Sequence, residues 1–462
     1  MVPQCSTTSA VLRHGVNSVL RHSRAAPGAR WVASAAAETS EAAAEASAGQ
    51  QAPQPLDLQP LPADQLARNA ALVERLRGQL ILAPLTRGNH LPFRRLCADF
   101  GAEVTLSEMA FARQLAKGDR KERAILRRAE NEQCYGVQIA TNVIDEGVRA
   151  GEMAAEAGAD FLDLNVGCPI YEATRRGLGA ALLRKPKKLA KLVNGMATRL
   201  PLPLTVKVRL GESASKINVE EVAALLEQAG AAAVTIHGRT MEQRYKKPAD
   251  WGLIERVAAA RAVPVIGNGD VLTHYEAQRR MQGHGCLAVM VGRGALIAPW
   301  LFQEHREGRA LSPTASERVG IYRQLVSHMK QHFRDDERGK RAAFYFLPWH
   351  FNFFSRYRPL PEAVYGDASL QRPLLSTRWE SVACTELGET VEGLPLLERL
   401  LRCENEAAFG PMADALWDAG SDAEAEAALL RLAGEHLEGW EAELRAGADD
   451  RQGQRDERQD QG

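Results

Sequence analysis

The sequence has no net charge, no paired cysteines and no long apolar run, and each absence narrows the class of protein. Its 58 Lys and Arg residues balance 58 Asp and Glu residues, so total charge argues neither for nor against a nucleic-acid partner. Its seven cysteines are odd in number and form no CxxC pair, which fits neither a disulfide framework nor a structural zinc site. We therefore expect a protein of a reducing compartment that holds no metal ion.

Two further absences concern cellular location. No stretch approaches the ~20 consecutive apolar residues that a membrane-spanning helix requires, so we expect a soluble protein without a membrane partner. We also expect it to act as a monomer. The first 37 residues contain four arginines, several Ser and Ala residues, and no acidic residue before Glu38. This composition is typical of an organellar transit peptide. It predicts import into a mitochondrion or chloroplast. The alternative is the cytoplasm, if the segment is a disordered tail that carries no targeting signal.

After an Ala-, Glu- and Pro-rich linker, the sequence repeats one pattern eight times. We assign residues 1–65 to the leader and linker, because they are too poor in large apolar residues to pack. Beyond them, a short Val/Ile/Leu run, a break of Gly, Pro, Asn or Asp, and an amphipathic helical segment recur. The eight predicted strands are QLILAPLT (79–86), VTLSEM (104–109), YGVQIA (135–140), FLDLNVG (161–167), LTVKVRL (204–210), AVTIHGRT (233–240), VPVIGNGD (263–270) and LAVMVGRGA (287–295).

A TIM barrel contains eight strand–helix units and usually takes about 250 residues, which agrees with this pattern. An open, doubly wound parallel sheet is the competing α/β architecture. It would place a GxGxxG fingerprint after the first strand, where the sequence instead reads APLTRGNHLPF. We therefore predict an α/β fold with a TIM (β/α)8 barrel over residues 66–308.

Downstream of Pro299 the pattern changes to helices alone. The segment SERVGIYRQLVSHMKQHFR is amphipathic, and RAAFYFLPWHFNFFSRYR is rich in aromatic residues with an arginine at each end. Residues 310–360 contain nine Lys and Arg against four Asp and Glu, which is a local basic excess. We predict a smaller all-helical domain over residues 309–440, followed by a disordered charged tail over residues 441–462.

Polar residues stand at the ends of the predicted strands, where a TIM barrel builds its chemistry. The third to sixth strands end in Gln138, Asn165 with Cys168, Lys207 with Arg209, and His237 with Arg239. The last two strands end in the glycine-rich turns GNGD and GRGA, where backbone N–H groups can approach an anion closely. These features indicate a phosphorylated ligand. The amide of Gln138 and the ammonium of Lys207 suit flavin mononucleotide, FMN.

In these same blocks the sequence resembles the tRNA-dihydrouridine synthases. The matching blocks lie within about residues 79–305 and include LAPLTRGNHLPFRRLCADFGAEVTLSEM, GVQIA, DFLDLNVGCPI, LTVKVRLG, VTIHGRTMEQRYKKPADW, GNGDV and GRGALIAPWLF. The details APLT, NVGCPI, HGRTMEQRY and ADW are most similar to the eukaryotic branch that reduces uridine 47 in the tRNA variable loop. The resemblance implies an FMN-dependent oxidoreductase that uses NADPH to reduce uridine to 5,6-dihydrouridine in tRNA.

The resemblance also implies roles for individual residues. Cys168 would be the catalytic acid, giving a proton to C5 of the uracil while a hydride from reduced FMN reaches C6. A thiol with an ordinary pKa of about 8.5 is mostly protonated near neutral pH and is still able to release its proton. FMN would be bound by Pro84, Leu85, Thr86, Gln138, Lys207, His237, Asn268, Gly269, Asp270, Gly292 and Arg293.

Contacts with the tRNA are predicted at the barrel rim and in the helical domain. Asn165 would orient the uracil, which must leave its stack to lie flat on a flavin. The remaining candidates for substrate binding are Arg175, Arg176, Arg209, Arg239, Arg356 and Arg358. Trp349 and Tyr357 are candidates for stacking on bases, although most aromatic residues of the helical domain must fill its core.

Two other functions are compatible with these residues. An FMN-dependent TIM-barrel oxidoreductase acting on a small pyrimidine such as dihydroorotate would share the phosphate loops and Lys207, but it needs no basic helical domain. A non-catalytic tRNA-binding protein on the same scaffold would not need Cys168, Lys207 and His237.

Overall fold

Eight parallel strands form a closed barrel in sequence order. The computed structural model describes residues 56–283, 285–376 and 393–459, so the predicted transit peptide and most of the linker lie outside the described residues. The predicted TIM barrel is confirmed. Its strands are Leu80–Leu82 (β1), Val104–Phe111 (β2), Cys134–Ala140 (β3), Phe161–Val166 (β4), Leu204–Arg209 (β5), Ala233–His237 (β6), Val265–Asn268 (β7) and Ala288–Val291 (β8).

The strands are nearly continuous apolar runs because helices cover the outside of the sheet and side chains fill the inside. All residues of β3, β4, β6, β7 and β8 are buried. The barrel closes where β1 pairs in parallel with β8, and Leu82 lies opposite Val291 in that pair. Closure brings the first and last strand ends to the same rim.

Strand β2 contains an irregularity that aims two polar residues at its neighbours. Its register against β3 shifts between Leu106 and Met109. Within the shifted stretch, the Ser107 hydroxyl accepts the Gln138 N–H at 3.0 Å. The Glu108 carboxylate accepts the Arg87 N–H at 2.5 Å, which holds the loop after β1. Such a bulge bends a strand and redirects its side chains at a barrel rim.

At least one helix follows every strand. The helices of the barrel region are Ala63–Leu76 (α1), Leu91–Asp99 (α2), Ala112–Ala116 (α3), Arg120–Ile125 (α4), Ile144–Glu156 (α5), Tyr171–Thr174 (α6), Pro186–Ala197 (α7), Val219–Gln228 (α8), Trp251–Ala260 (α9), His274–Gly283 (α10), Arg293–Ile297 (α11) and Leu301–Glu307 (α12). A 3₁₀ turn, Gly179–Arg184, separates α6 from α7.

Helix α1 precedes the first strand and closes the amino-terminal end of the barrel. Its Leu72 and Leu76 are buried in one cluster with Ile81 and Phe161 from the strands. Leu56, Leu58 and Leu61 pack against the main core, so folded chain begins before the predicted boundary at residue 66. Isolated leucines in a Pro- and Gln-rich stretch show no period, so no hydrophobic pattern predicted their burial.

The helices after the barrel pack directly on it, and residues from Pro53 onward belong to one compact unit. His328 Nε2 lies 2.6 Å from Asp99 Oδ2 of α2, and the His350 ring stacks on Phe93 at 4.8 Å. None of the described helices is long and apolar enough to cross a membrane. These helices are Ala315–Phe333 (α13), Glu337–Ala343 (α14), Leu347–Phe354 (α15), Glu362–Gln371 (α16), Leu396–Leu401 (α17), Glu406–Asp418 (α18) and Asp422–Gln459 (α19).

Helix α19 extends to Gln459 and so enters the tail for which the sequence predicted disorder. The segment has few apolar residues to pack, but its Arg, Gln and Glu residues have good helix propensity.

A buried ion pair joins α2 to the chain before β3. Arg94 Nε lies 2.8 Å from Glu132 Oε1, and their side chains are 2% and 0% exposed. Glu132 also accepts the Thr105 hydroxyl at 2.6 Å and the Ala129 N–H at 2.6 Å. A buried pair with its remaining hydrogen bonds satisfied is costly to break from one side, because the surviving charge has no partner.

Replacing Arg94 with Met is expected to lower the free energy of unfolding by about 3–5 kcal/mol, because Glu132 keeps its buried charge. Urea titration followed by circular dichroism measures the loss. The control is Arg77→Met, which breaks an exposed pair with Glu74 and should cost less than about 1 kcal/mol. Equal midpoints for the two variants would show that the buried pair does not stabilise this junction.

Candidate active site

One cavity of about 700 Å³ opens at the carboxyl ends of the strands. It is lined by residues from the strand ends, by the loop after β4 and by three side chains from beyond the barrel. The predicted site residues on its wall are Pro84, Leu85, Thr86, Gln138, Asn165, Cys168, Lys207, Arg209, His237, Asn268, Gly269, Asp270, Gly292 and Arg293. The structure thus brings together the whole set that the sequence predicted for FMN, along with the predicted catalytic thiol.

Amide side chains from β3 and β4 form a fixed hydrogen-bond chain on one side of the cavity. Gln138 Nε2 donates to Asp163 Oδ2 at 2.7 Å, and Asn165 Nδ2 donates to Gln138 Oε1 at 2.8 Å. Asp163 is buried, and burial raises the pKa of its carboxyl group. Because each amide is held by its neighbour, both present a defined edge to a planar ligand.

Lys207 is the one lysine among the described residues that line the cavity, and its ammonium group lies against β7. Its Nζ donates to Asn268 Oδ1 at 3.0 Å, and Asn268 Nδ2 donates to the Met290 carbonyl at 2.8 Å. Burial, helped by the nearby Arg209 charge, lowers the pKa of Lys207 to about 8. The ammonium therefore predominates at neutral pH, and an anionic ligand beside it would raise this pKa again.

Asp270 anchors the turn after β7 through two arginines. Arg239 Nη2 donates to Asp270 Oδ1 at 2.7 Å, and Arg293 Nη2 donates to the same oxygen at 3.0 Å. The turn has positive φ at Gly269 (133°) and at Asp270 (49°). A Cβ on Gly269 would lie 2.6 Å from the Ala249 Cβ, so this position requires glycine. The hydrogen bonds from the two arginines thus hold Asp270 in a strained backbone conformation.

The cavity carries an excess of positive charge. Lys207, Arg209, Arg244 and Arg293 line it, while Asp270 is the one acidic residue among the described lining residues. His237 is neutral here, because burial first, and then the neighbouring cations Arg209, Lys207, Arg239 and Arg293, hold its pKa well below the usual value. A wall with this charge and with glycine turns at two strand ends suits an anion such as a phosphate.

Cys168 stands just past the end of β4, on the wall of the same cavity. Asn165 Oδ1 accepts the Cys168 N–H at 2.8 Å and the Gly167 N–H at 3.2 Å. Burial raises the pKa of the thiol, while the Ile170 N–H and the charges of Arg209 and Lys207 oppose that rise. The group is therefore a protonated thiol at neutral pH, with cations close by that stabilise the thiolate left after proton loss.

A family profile described as Dihydrouridine synthase (Dus) matches residues 81–362, which is more than half of the chain. The chain belongs to the dihydrouridine synthase family. A human relative named tRNA-dihydrouridine(47) synthase [NAD(P)(+)]-like is 41% identical over 287 residues, covering 62% of this chain and 44% of the human protein. A Cryptococcus neoformans relative named tRNA-dihydrouridine(47) synthase [NAD(P)(+)] is 38% identical over 355 residues, covering 70% and 49%.

The chain spans about half the length of the curated relatives it matches. A third relative, from Oryza sativa subsp. japonica, is named like the human protein and is 38% identical, covering 69% of this chain and 49% of that protein. Among solved structures, morphinone reductase in complex with tetrahydroNAD aligns with a TM-score of 0.36 and 13% identity, over 51% of this chain and 88% of that chain. That likeness is too low to bear on function.

Several arginines predicted to bind substrate lie outside the cavity of this family member. Arg239 is fully buried in its pair with Asp270. It supports the turn after β7 and does not line the cavity. Arg209 reaches the cavity, but its guanidinium donates to the carbonyls of Gly167 and Thr240. A strand-end position shows that a side chain is near the rim, whereas its direction depends on the neighbouring loops.

The remaining arginines lie in two separate places, and all of them are exposed except Arg358, which is half-buried. Arg175 and Arg176 on the loop after β4 pair with Glu172. Arg356 and Arg358 line a small cavity beside α12, and Arg358 donates to the carbonyls of Ser355 and Tyr357. Their proposed contact with RNA stays a prediction.

The sequence did not predict the outer wall of the cavity. Trp349 and Phe353 on α15, together with Leu375, complete it from the helical region. A Cβ on Gly88 would lie 3.2 Å from the Trp349 ring, so this helix fits closely against the loop after β1. The Tyr245 ring lies 4.5 Å from the guanidinium of Arg293, in the turn after β8. The sequence makes Trp349 a candidate for stacking on RNA bases, but no periodic pattern places it at the barrel rim.

Cys168 is expected to be the first of the described cysteines to react with iodoacetamide in the folded protein. It is partly exposed, whereas Cys97, Cys134, Cys286 and Cys403 are buried. Because its pKa is raised, the thiolate fraction and the labelling rate should keep increasing as pH rises past 9. Peptide mass spectrometry over a pH series measures the rate for each cysteine.

Labelling in urea provides the control for that experiment, since every cysteine should then react. A Cys168 rate that levels off below pH 8 would contradict the raised pKa. Preferential labelling of Cys97 or Cys286 would contradict the placement of the thiol on the cavity wall.

Proposed function

We propose that this protein reduces uridine to 5,6-dihydrouridine in tRNA, with FMN as cofactor and NADPH as reductant. The observation that carries the proposal is the place of Cys168. A partly exposed, protonated thiol shares one cavity with a cationic, glycine-lined anion site, in a chain of the dihydrouridine synthase family. The names of the relatives support the choice of substrate and of uridine 47 as the position.

The cavity residues fit FMN in charge and in chemistry. The turns Asn268–Asp270 and Gly292–Arg293 would hold the phosphate, because they combine backbone N–H groups with the Arg293 cation. Pro84, Leu85 and Thr86 would contact the ring system, and Gln138 would hydrogen-bond its pyrimidine edge. Lys207 would lie where reduction places negative charge.

Reduced FMN, when bound, supplies a hydride to C6 of the uracil ring. Cys168 gives its proton to C5, so that the C5–C6 double bond becomes a single bond and a thiolate remains. Lys207 and Arg209 stabilise that thiolate, since their charges already oppose the rise in the Cys168 pKa. Water then returns a proton to the thiol. Oxidation of NADPH to NADP+ would supply the two electrons that each reduction consumes.

Asn165 has a positioning role in this scheme. Its Nδ2 is held by Gln138, and its Oδ1 holds the N–H groups of Gly167 and Cys168. It therefore links the residue proposed to bind the ring edge with the residue proposed to donate the proton. Trp349 and Phe353 close the cavity from the other side and exclude water from the reacting atoms.

Replacing Cys168 with Ala is expected to leave FMN bound and to lower dihydrouridine formation by at least about 100-fold, the usual contribution of a general acid. The assay incubates the purified protein, unmodified tRNA transcript and NADPH, and counts dihydrouridine by mass spectrometry. Cys286→Ala, which removes a buried thiol that does not line the cavity, should keep full activity.

Two results would contradict the proposal. Folded wild-type protein that binds no FMN would exclude the flavin chemistry. Wild-type protein that oxidises dihydroorotate but leaves tRNA unchanged would favour a small-molecule pyrimidine oxidoreductase on the same barrel.

We also propose that the protein acts on tRNA inside a mitochondrion or chloroplast. The support is the acid-free, arginine-containing composition of residues 1–37, which lie outside the described residues. Residues 1–40 fused to a fluorescent protein are expected to direct it to an organelle. A diffuse cytosolic signal from that fusion would contradict the location.

A further inference from the structure

A second cavity of about 350 Å³ opens on the same rim of the barrel, beside the catalytic one. Nothing in the proposed reaction uses it. Its walls combine an aromatic ring, two arginines and two side-chain amides. The lining residues are Phe111, Arg113, Gln114, Ala140, Thr141, Asn142, Val143, Glu146, Arg176 and Leu178.

The strand register places the two cavities one above the other. Met109 of β2 lies opposite Gln138 of β3, and both line the catalytic cavity. Phe111 lies opposite Ala140, and both line the second cavity. Two residues along a strand advance about 6.6 Å, and residues two apart point to the same face. The second cavity therefore continues the catalytic one outward along the same two strands.

The loop that carries Cys168 separates the two cavities. Cys168, Ile170 and Tyr171 line the catalytic side, while Arg176 and Leu178 line the second side. Ile170 is 44% exposed and Tyr171 is 75% exposed, so the ridge between the cavities presents apolar groups to solvent. Exposed apolar residues beside two cavities on a catalytic rim are typical of a binding surface.

The chemistry of the second cavity suits an unpaired nucleotide. The Arg176 guanidinium lies 5.3 Å from the centre of the Phe111 ring, and both groups are flat surfaces on which a base can stack. The Gln114 amide offers a donor and an acceptor to a base edge, and Asn142 offers its Oδ1 as an acceptor, while its Nδ2 donates to the Arg176 carbonyl at 3.2 Å. Arg113 and Arg176 lie in solvent-accessible ion pairs with Glu146 and Glu172, and such pairs are weak enough for an RNA phosphate to compete for either guanidinium.

We propose that the second cavity binds the base of another unpaired nucleotide of the RNA strand whose uridine enters the catalytic cavity. The strand would cross the ridge at Ile170 and Tyr171, with one base on each side. This inference rests on the proposed function, since it takes RNA as the substrate. It adds a subsite that reads a second nucleotide through stacking on Phe111 and Arg176.

Phe111→Leu tests the stack while keeping an apolar side chain against its neighbours Ala140 and Leu178. Single-turnover experiments follow reoxidation of the reduced, FMN-loaded protein by unmodified tRNA transcript. We expect the tRNA concentration for half-maximal rate to rise at least about fivefold, as for loss of one base–aromatic stack, while the rate at saturation changes less than about twofold. Phe111→Tyr keeps the ring and should restore wild-type behaviour.

Arg176→Gln should raise the half-maximal tRNA concentration in the same way and make the reaction less sensitive to salt. The matched control is Arg149→Gln, which removes an exposed arginine that pairs with Glu152 three residues away and lies outside both cavities. All variants should bind FMN and be reduced by NADPH like the wild type, which verifies folding separately from RNA binding.

Photo-crosslinking gives a readout that does not depend on turnover. RNA carrying 4-thiouridine at one position near the reduced uridine is irradiated on the protein, and the crosslinked peptides are sequenced. We expect one position to attach to residues 111–114 or 176–178, and Phe111→Leu to reduce that product.

The outcomes separate the two proposals. If wild-type protein does not react with any RNA, the proposed function fails. If it reacts, but Phe111→Leu and Arg176→Gln behave like Arg149→Gln and no crosslink maps to the second cavity, the subsite is overturned and the RNA is held elsewhere.

Discussion

The site depends on the closing of the barrel between its first and last strands. Because β1 pairs with β8, the loop Pro84–Thr86 and the turn Gly292–Arg293 leave adjoining strands at one rim. The parallel register then continues around the ring, placing Asn165 opposite Lys207 and His237 opposite Asn268. In an open sheet, the first and last strands would lie at opposite edges, and their loops would not share a cavity.

Closure also brings the positive charges of Lys207, Arg209 and Arg293 to one cavity, and their repulsion destabilises the folded protein. Burial and the neighbouring arginine lower the pKa of Lys207 to about 8, so part of the free energy that would favour its charge is lost on folding. Asp270 relieves some of the repulsion by accepting from both Arg239 and Arg293. An anion bound at this wall would relieve the remaining excess, so the charge of the cavity itself favours a phosphate.

The sequence predicted the features that follow from short-range pattern. Short apolar runs followed by breaks of Gly, Pro, Asn or Asp located all eight strands, and the topology of a parallel barrel forces their polar ends to one rim. Hence Gln138, Lys207, Asn268 and Cys168 could be assigned to one cavity from their places in the chain alone. The same reasoning failed for Arg239, because its direction is set by the Asp270 carboxylate and no pattern encodes that contact.

Features formed by packing between distant segments were not predictable. Helix α1 closes the barrel floor with Leu72 and Leu76, although these leucines look like those of any amphipathic helix. Trp349 and Phe353 complete the cavity wall from a segment that follows the last strand by more than 50 residues. In a core-forming aromatic run, the ring that faces a cavity and the rings that face the interior have the same sequence signature.

The loop after β4 has a fixed base and an exposed tip. Its base is fixed at both ends, since Asn165 Oδ1 accepts the Cys168 N–H and the Cys168 carbonyl accepts the Ala180 N–H at 3.0 Å. Gly179 has a φ of 59°, and a Cβ there would lie 2.6 Å from the Cys168 carbonyl oxygen, so the returning chain needs glycine to come this close. The thiol is thus positioned by the strand end and the loop return. At the tip, Tyr171, Glu172, Arg175 and Arg176 are exposed to solvent, so they could contact RNA without displacing the thiol proposed as proton donor.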